Sequence, residues 1–203
     1  LAQATLTELI LHEQDPSDDM PGMFPDQQPL DIRPLLAFTN LTHVDVRVLY
    51  APDPTDSELR ALAQSWPRIR HLDLLPAFEW ARYETPRATL WGLVPFAEFC
   101  LELRRLHLYV DACSPTRYAG KPGGGAACRA LRALHVGGSP IAHATIVAAF
   151  LSDIFPALRA IRYYNVEIPI ETPEGAMPEG RRQRLWAKVQ SLLPTLGAIR
   201  VLE

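Results

Sequence analysis

The sequence predicts an α/β fold: a solenoid of about six to seven strand-plus-helix units, with a curved parallel sheet on the concave side and helices on the convex side. Three observations predict it. The spacing L-x-x-L-x-L is set by Leu131, Leu134 and Val136 and recurs along the chain. An apolar or cysteine residue stands three positions before six of its occurrences. Between occurrences lie amphipathic stretches of helical period. Neither a strand nor a helix of such a unit can bury its apolar side alone, so neighbouring units must stack.

In chain order the strand pattern falls at Leu6/Leu9/Leu11, Leu41/Val44/Val46, Ile69/Leu72/Leu74, Leu103/Leu106/Leu108, Leu131/Leu134/Val136, Leu158/Ile161/Tyr163 and Leu196/Ile199/Val201. Successive steps are 35, 28, 34, 28, 27 and 38 residues, so 27–28 is the bare unit and longer steps carry loops. The preceding positions hold Phe38, Trp66, Cys100, Cys128, Phe155 and Leu193, side chains expected to turn inward where helix gives way to strand. Pro67, Pro156 and Pro194 follow directly, where a helix is expected to stop.

The helices are predicted from their stripes. Thr55-Asp56-Ser57-Glu58 provides an N-cap and capping-box glutamate ahead of Leu59, Leu62, Ala63 and Trp66. Leu90, Leu93, Ala97 and Cys100 form a second stripe, in which Pro95 implies a late start or a kink. Ile146, Phe150 and Ile154 line a third, and Leu185, Trp186, Val189, Leu192 and Leu193 a fourth. Residues 1–34 hold the first unit and a proline-rich loop, and 35–203 the remaining solenoid, with insertions at about 76–89, 111–127 and 171–182. Lys121-Pro122-Gly123-Gly124-Gly125 lacks the G-x-x-x-x-G-K-[ST] order of a phosphate loop and is predicted to be a flexible insertion. The last strand is expected to end at Glu203 without a capping helix, leaving an exposed edge or a missing segment.

Composition narrows the function classes. A net charge of −3 argues against nucleic acid or anionic membrane as partner, and no apolar run nears the roughly 18 residues of a membrane span. No signal peptide is visible, and three cysteines suit a reducing compartment, so the expected location is intracellular, cytoplasmic or nuclear. Cys100 and Cys128 are expected in the core, and Cys113 at the surface. No serine has a G-x-S-x-G context, and no activated cysteine–histidine pair is evident. The expectation is therefore a protein that is not an enzyme and needs no cofactor.

The stretches 35–46 (LLAFTNLTHVDV), 58–74 (ELRALAQSWPRIRHLDL) and 131–161 (LRALHVGGSPIAHATIVAAFLSDIFPALRAI) resemble the leucine-rich-repeat region of fungal F-box-like proteins of basidiomycetes, over roughly 35–203. The resemblance implies a substrate-recognition arm of a ubiquitin ligase, in which an F-box docks a Skp1-type adaptor and the repeats hold the protein to be ubiquitinated. No segment of this chain matches an F-box, so adaptor binding is expected only if one lies upstream of Leu1. The alternatives are a ligase-independent leucine-rich-repeat scaffold or inhibitor, and an enzyme or metal-binding protein.

In such strands the alternate positions face the concave surface. They hold His43, Asp45, Arg47; His71, Asp73, Leu75; Arg105, His107, Tyr109; Ala133, His135, Gly137; and Ala160, Arg162, Tyr164. Asp73, Arg105, His107, Tyr109, His135, Arg162 and Tyr164, in the middle of the array, are the expected partner-binding residues, tyrosine and arginine being favoured at interaction hot spots. His43 and His71 with Asp45 and Asp73 have the chemistry of a zinc site, but flat sheet columns rarely converge four ligands, so no metal is expected. Histidines there also admit pH-tuned binding.

Overall fold

The computed structural model describes residues 5–13, 28–77, 85–113, 120–164 and 179–202. Among them are six strands: β1 (Glu8–His12), β2 (His43–Arg47), β3 (His71–Asp73), β4 (Arg105–His107), β5 (Ala133–His135) and β6 (Ala160–Arg162). They form one sheet in chain order, every neighbouring pair parallel. Each strand falls on one of the first six predicted triads, β1 and β2 running one residue past its end.

Register follows from side-chain alternation. Leu9, Val44, Leu72, Leu106, Leu134 and Ile161 stand in one row across the sheet. From Val44 onward these side chains are buried in the core, each contributing about 1.5–3 kcal/mol. A slip of one residue would expose that row and bury charged neighbours, so the pairing is strongly specified.

Helices cover the apolar face. Helix α1 (Asp56–Ser65) starts at Thr55 with the expected capping box: the Glu58 N–H donates to Thr55 Oγ1 at 3.3 Å, and the Thr55 N–H donates to Glu58 Oε2 at 2.8 Å. It buries Leu59, Leu62 and Ala63. The Pro95 expectation is met by a 3-10 turn over Leu90–Leu93 that passes into helix α2 (Val94–Phe99), with Pro95 in the first turn, where its missing N–H has no helical partner to lose. Helix α3 (Ala144–Ile154) buries Val147, Phe150, Leu151 and Ile154; Ile146, predicted on this stripe, is only half-buried.

The inward register behaves as predicted from Trp66 onward, and Phe38 is partly buried. Cys100 Sγ donates to the Ala63 carbonyl at 3.4 Å, and Cys128 Sγ to the Cys100 carbonyl at 3.3 Å, so each thiol ties its unit to the one before. Burial pushes the Cys100 thiol up to about 12, and burial also raises Cys128. Neither is a nucleophile. Cys113 is half-buried, and burial and the neighbouring Asp111 carboxylate raise its thiol to about 11.

The C-terminal expectation is corrected. Leu196, Ile199 and Val201 lie in helix α4 (Glu179–Leu202), not in a seventh strand, and Pro194 is inside that helix rather than at its end. Trp186, Val189 and Leu193 are buried and Leu196 packs beside them, at steps of three or four residues, while Ile199 is exposed. In a strand Ile199 would be the buried centre of its triad. The sheet also has the cap that was expected to be missing. Gln190 Oε1 accepts the Ile161 N–H, and Gln190 Nε2 donates to the Arg159 carbonyl at 2.6 Å. One side-chain amide thus occupies the place of a neighbouring strand on the open edge of β6. Trp186 Nε1 donates to the Ser139 carbonyl at 2.9 Å, and Arg200 pairs with Asp153 at 2.7 Å.

The predicted insertions fall partly outside the described residues. The loop before β2 is described from 28, that after β3 to 77 and from 85, and that after β4 to 113 and from 120. Of the glycine-rich stretch, Pro122 and Gly123 pack against the rest of the fold, while Gly124 and Gly125 are exposed. Pro122–Gly125 forms a 3-10 turn with Pro122 buried, and a Cβ added at Gly123 would stand 2.8 Å from Val94 Cγ1. Of the expected insertion 171–182, residues 179–182 open helix α4.

Candidate functional site

The second face of the sheet carries the polar columns, because a side chain directed away from the helices need not be apolar. Glu8, His43, His71, Arg105, Ala133 and Ala160 make one row; Ile10, Asp45, Asp73, His107, His135 and Arg162 make the next. His43 stacks on His71 with ring centroids 6.2 Å apart. His71 then meets His107 diagonally at 5.3 Å, His107 meets His135 at 5.1 Å, and His135 meets Tyr164 at 5.4 Å, all edge-on. Five rings therefore run unbroken from β2 to the residues just after β6.

Asp73 anchors this run. It is 3 % exposed, and its Oδ2 accepts from His107 Nδ1 at 2.6 Å and from Arg47 Nη2 at 3.2 Å. Oδ1 accepts the Leu75 N–H at 3.0 Å. Burial opposes ionisation of Asp73, but the His107 hydrogen bond and charge, with the Leu75 amide and Arg47, hold the carboxyl below its ordinary range. Burial and the neighbouring His107 lower His71, and the same two causes push His135 down to about 4. At neutral pH both present uncharged imidazoles.

Of the residues predicted to bind a partner, Asp73, His107, His135 and Tyr164 are brought together. Tyr109 is on this face but only 9 % exposed. A Cβ added at Gly138 would stand 3.9 Å from both the Tyr109 and Tyr164 rings. Gly137 has φ +54, and a Cβ there would meet Tyr164 Cε2 at 3.1 Å and Leu75 Cδ2 at 3.2 Å, so both conformation and space require glycine. Arg105 and Arg162 are exposed in the two rows and flank the rings.

Three participants lay outside the predicted set: His43, which starts the ring run, His71, which links the two rows, and Arg47. Their signal was in the column positions, since each occupies a face position of its strand. The diagonal step from His71 to His107 was not visible, because it depends on side-chain reach between rows rather than on spacing along a strand. The zinc-like quartet does not form as spaced. Asp45 instead pairs with His12 Nε2 at 3.1 Å and Arg47 Nε at 2.9 Å, and His43 Nδ1 shares a 2.9 Å hydrogen bond with Thr42 Oγ1.

Among the described residues no helix is long and apolar enough to cross a membrane. No family model matches the chain, and no curated protein matches it.

Proposed function

We propose that the chain is a leucine-rich-repeat solenoid of the fungal F-box-like kind and that its polar sheet face recognises a protein partner. The observation that carries this reading is the unbroken ring run of His43, His71, His107, His135 and Tyr164, flanked by the exposed guanidinium groups of Arg105 and Arg162. Aromatic faces beside arginines on a rigid sheet supply large contact area at low entropic cost, which is what interaction hot spots need. The repeat spacing supports the solenoid assignment, and the sequential parallel sheet is compatible with it. On this reading the bound protein is a ubiquitination substrate, and the site of action is the cytoplasm or nucleus. A Skp1-type adaptor is engaged only through an upstream F-box.

The test is a pull-down from fungal cell extract with this chain and the complete gene product as parallel baits. Both are expected to recover a common set of clients, and the complete product also a Skp1-type adaptor with its cullin. Reversing charge with Arg105→Glu and Arg162→Glu is expected to remove the clients. Clients that persist through that change refute the face assignment. A complete gene product that recovers no adaptor refutes the ligase role, and the reading becomes a ligase-independent scaffold or inhibitor.

A further inference from the structure

We propose that His71, Asp73 and His107 form a binding site for a divalent transition-metal ion of the zinc class. Each offers one ligand atom, and the three atoms lie within 4.8 Å of one another. His71 and Asp73 are two residues apart on β3 and so share a face, while His107 stands beside Asp73 on β4. All three are carried on paired backbone rather than on loops, the kind of support a preorganised site requires.

The independent observation is at His71. Its Nε2 is buried and has no hydrogen-bond partner. A buried polar atom left without a partner is destabilising, and the Asp73–His107 pair by itself does nothing to offset it. A metal ion held between this nitrogen and the pair satisfies it.

The spacing suits such an ion. Metal–ligand bonds of about 2.1 Å in tetrahedral geometry place donor atoms about 3.4 Å apart and two imidazole centroids about 5 Å apart. The His71 and His107 centroids are 5.3 Å apart. Binding requires the side chains to rotate, closing the longest donor separation from up to 4.8 Å and opening the 2.6 Å Asp73–His107 pair. Arg47, which bonds Asp73, has a second carboxylate partner in Asp45 at 2.9 Å and can withdraw to it. Asp73 Oδ1 keeps its Leu75 amide, leaving Oδ2 for the metal. His107 then ligates through Nδ1, whose proton is released to solvent, leaving Nε2 protonated. Two imidazoles and one carboxylate select zinc, cobalt or nickel over calcium or magnesium, which require oxygen ligands. The fourth position is left for water or a group of a bound partner.

The test uses the whole chain, stripped with chelator and titrated with zinc chloride by calorimetry, alongside the visible absorption of the cobalt-loaded protein. One equivalent is expected to bind, with affinity falling at least about 10-fold in His71→Ala and in His107→Ala. His71→Gln, with circular dichroism on every variant, separates loss of ligation from loss of fold. His143→Ala and Cys113→Ser, at positions outside the cluster, are expected to bind like the parent. Absence of stoichiometric binding, parent-like binding in the His71 and His107 variants, or equal preference for calcium would each overturn the site. The site does not depend on the proposed partner role, which the pull-down tests separately.

Discussion

The helical C-terminus makes opposite predictions for two glycines of helix α4. Replacing glycine by alanine in a helix gains up to about 1 kcal/mol from backbone entropy. At Gly180 an added Cβ would meet nothing within 4 Å, so Gly180→Ala is expected to be neutral or to stabilise by about 0.5 kcal/mol. At Gly197 the same Cβ would stand 2.7 Å from the Pro156 carbonyl oxygen. That atom belongs to the main chain and cannot swing aside, so relief means lifting the helix off the turn before β6. Overpacking of this kind costs about 2–3 kcal/mol. The contact therefore outweighs the propensity gain, leaving Gly197→Ala about 1–2 kcal/mol less stable than the parent. For a chain of this size the melting temperature should fall by roughly 2–8 °C. Thermal unfolding followed by circular dichroism reads both variants. A Gly197→Ala protein that melts at or above the parent would show that this end of helix α4 does not rest against Pro156.

Gln190→Ala should cost about 1–3 kcal/mol, because it leaves the Ile161 N–H and Arg159 carbonyl without partners at a sheet edge. Urea unfolding measures the loss, and light scattering should show the uncovered edge promoting association. Thr55→Ala should cost about 1 kcal/mol by removing the helix cap. The backbone N–H of Thr55, and then its hydroxyl, hold the Glu58 carboxyl below its ordinary value of 4.5. A folded-state pKa below the unfolded one means that this stabilisation is present above about pH 4.5 and is lost as pH falls through the folded value. The gap between parent and Thr55→Ala in urea should therefore narrow in acid. With its thiol near 11, Cys113 should be only about 0.1 % thiolate at pH 8. Iodoacetamide should label native protein slowly and faster as pH rises, and Cys100 and Cys128 should react only on unfolding; rapid labelling of either at pH 8 would contradict their burial.

Spacing alone determined where each of the six strands lies, which side chains turn inward and where helix α1 begins. Those features are local: alternation assigns faces, and a capping box is read within four residues. Leu196/Ile199/Val201 failed for the same reason. Apolar residues at i, i+3 and i+5 satisfy a strand triad, and a helix can carry the same spacing with only part of it facing inward, so the pattern cannot choose between them. Packing chose, because Leu193 and Leu196 continue the helical stripe of Trp186 and Val189, and the Gln190 amide of that helix meets the edge of β6.

The candidate site divides in the same way. That His43, His71, Asp73, His107 and His135 share a face was determined by the sequence, since period-2 alternation counted from the leading residue of each triad requires it. Which of them touch was decided by the tertiary structure alone. Parallel pairing puts Asp73 beside His107, and side-chain reach between rows brings His71 diagonally onto the same pair. Burial then depends on everything packed around the site: it leaves His135 uncharged and one nitrogen of His71 without a partner, while the donors around Asp73 keep that carboxylate ionised against it.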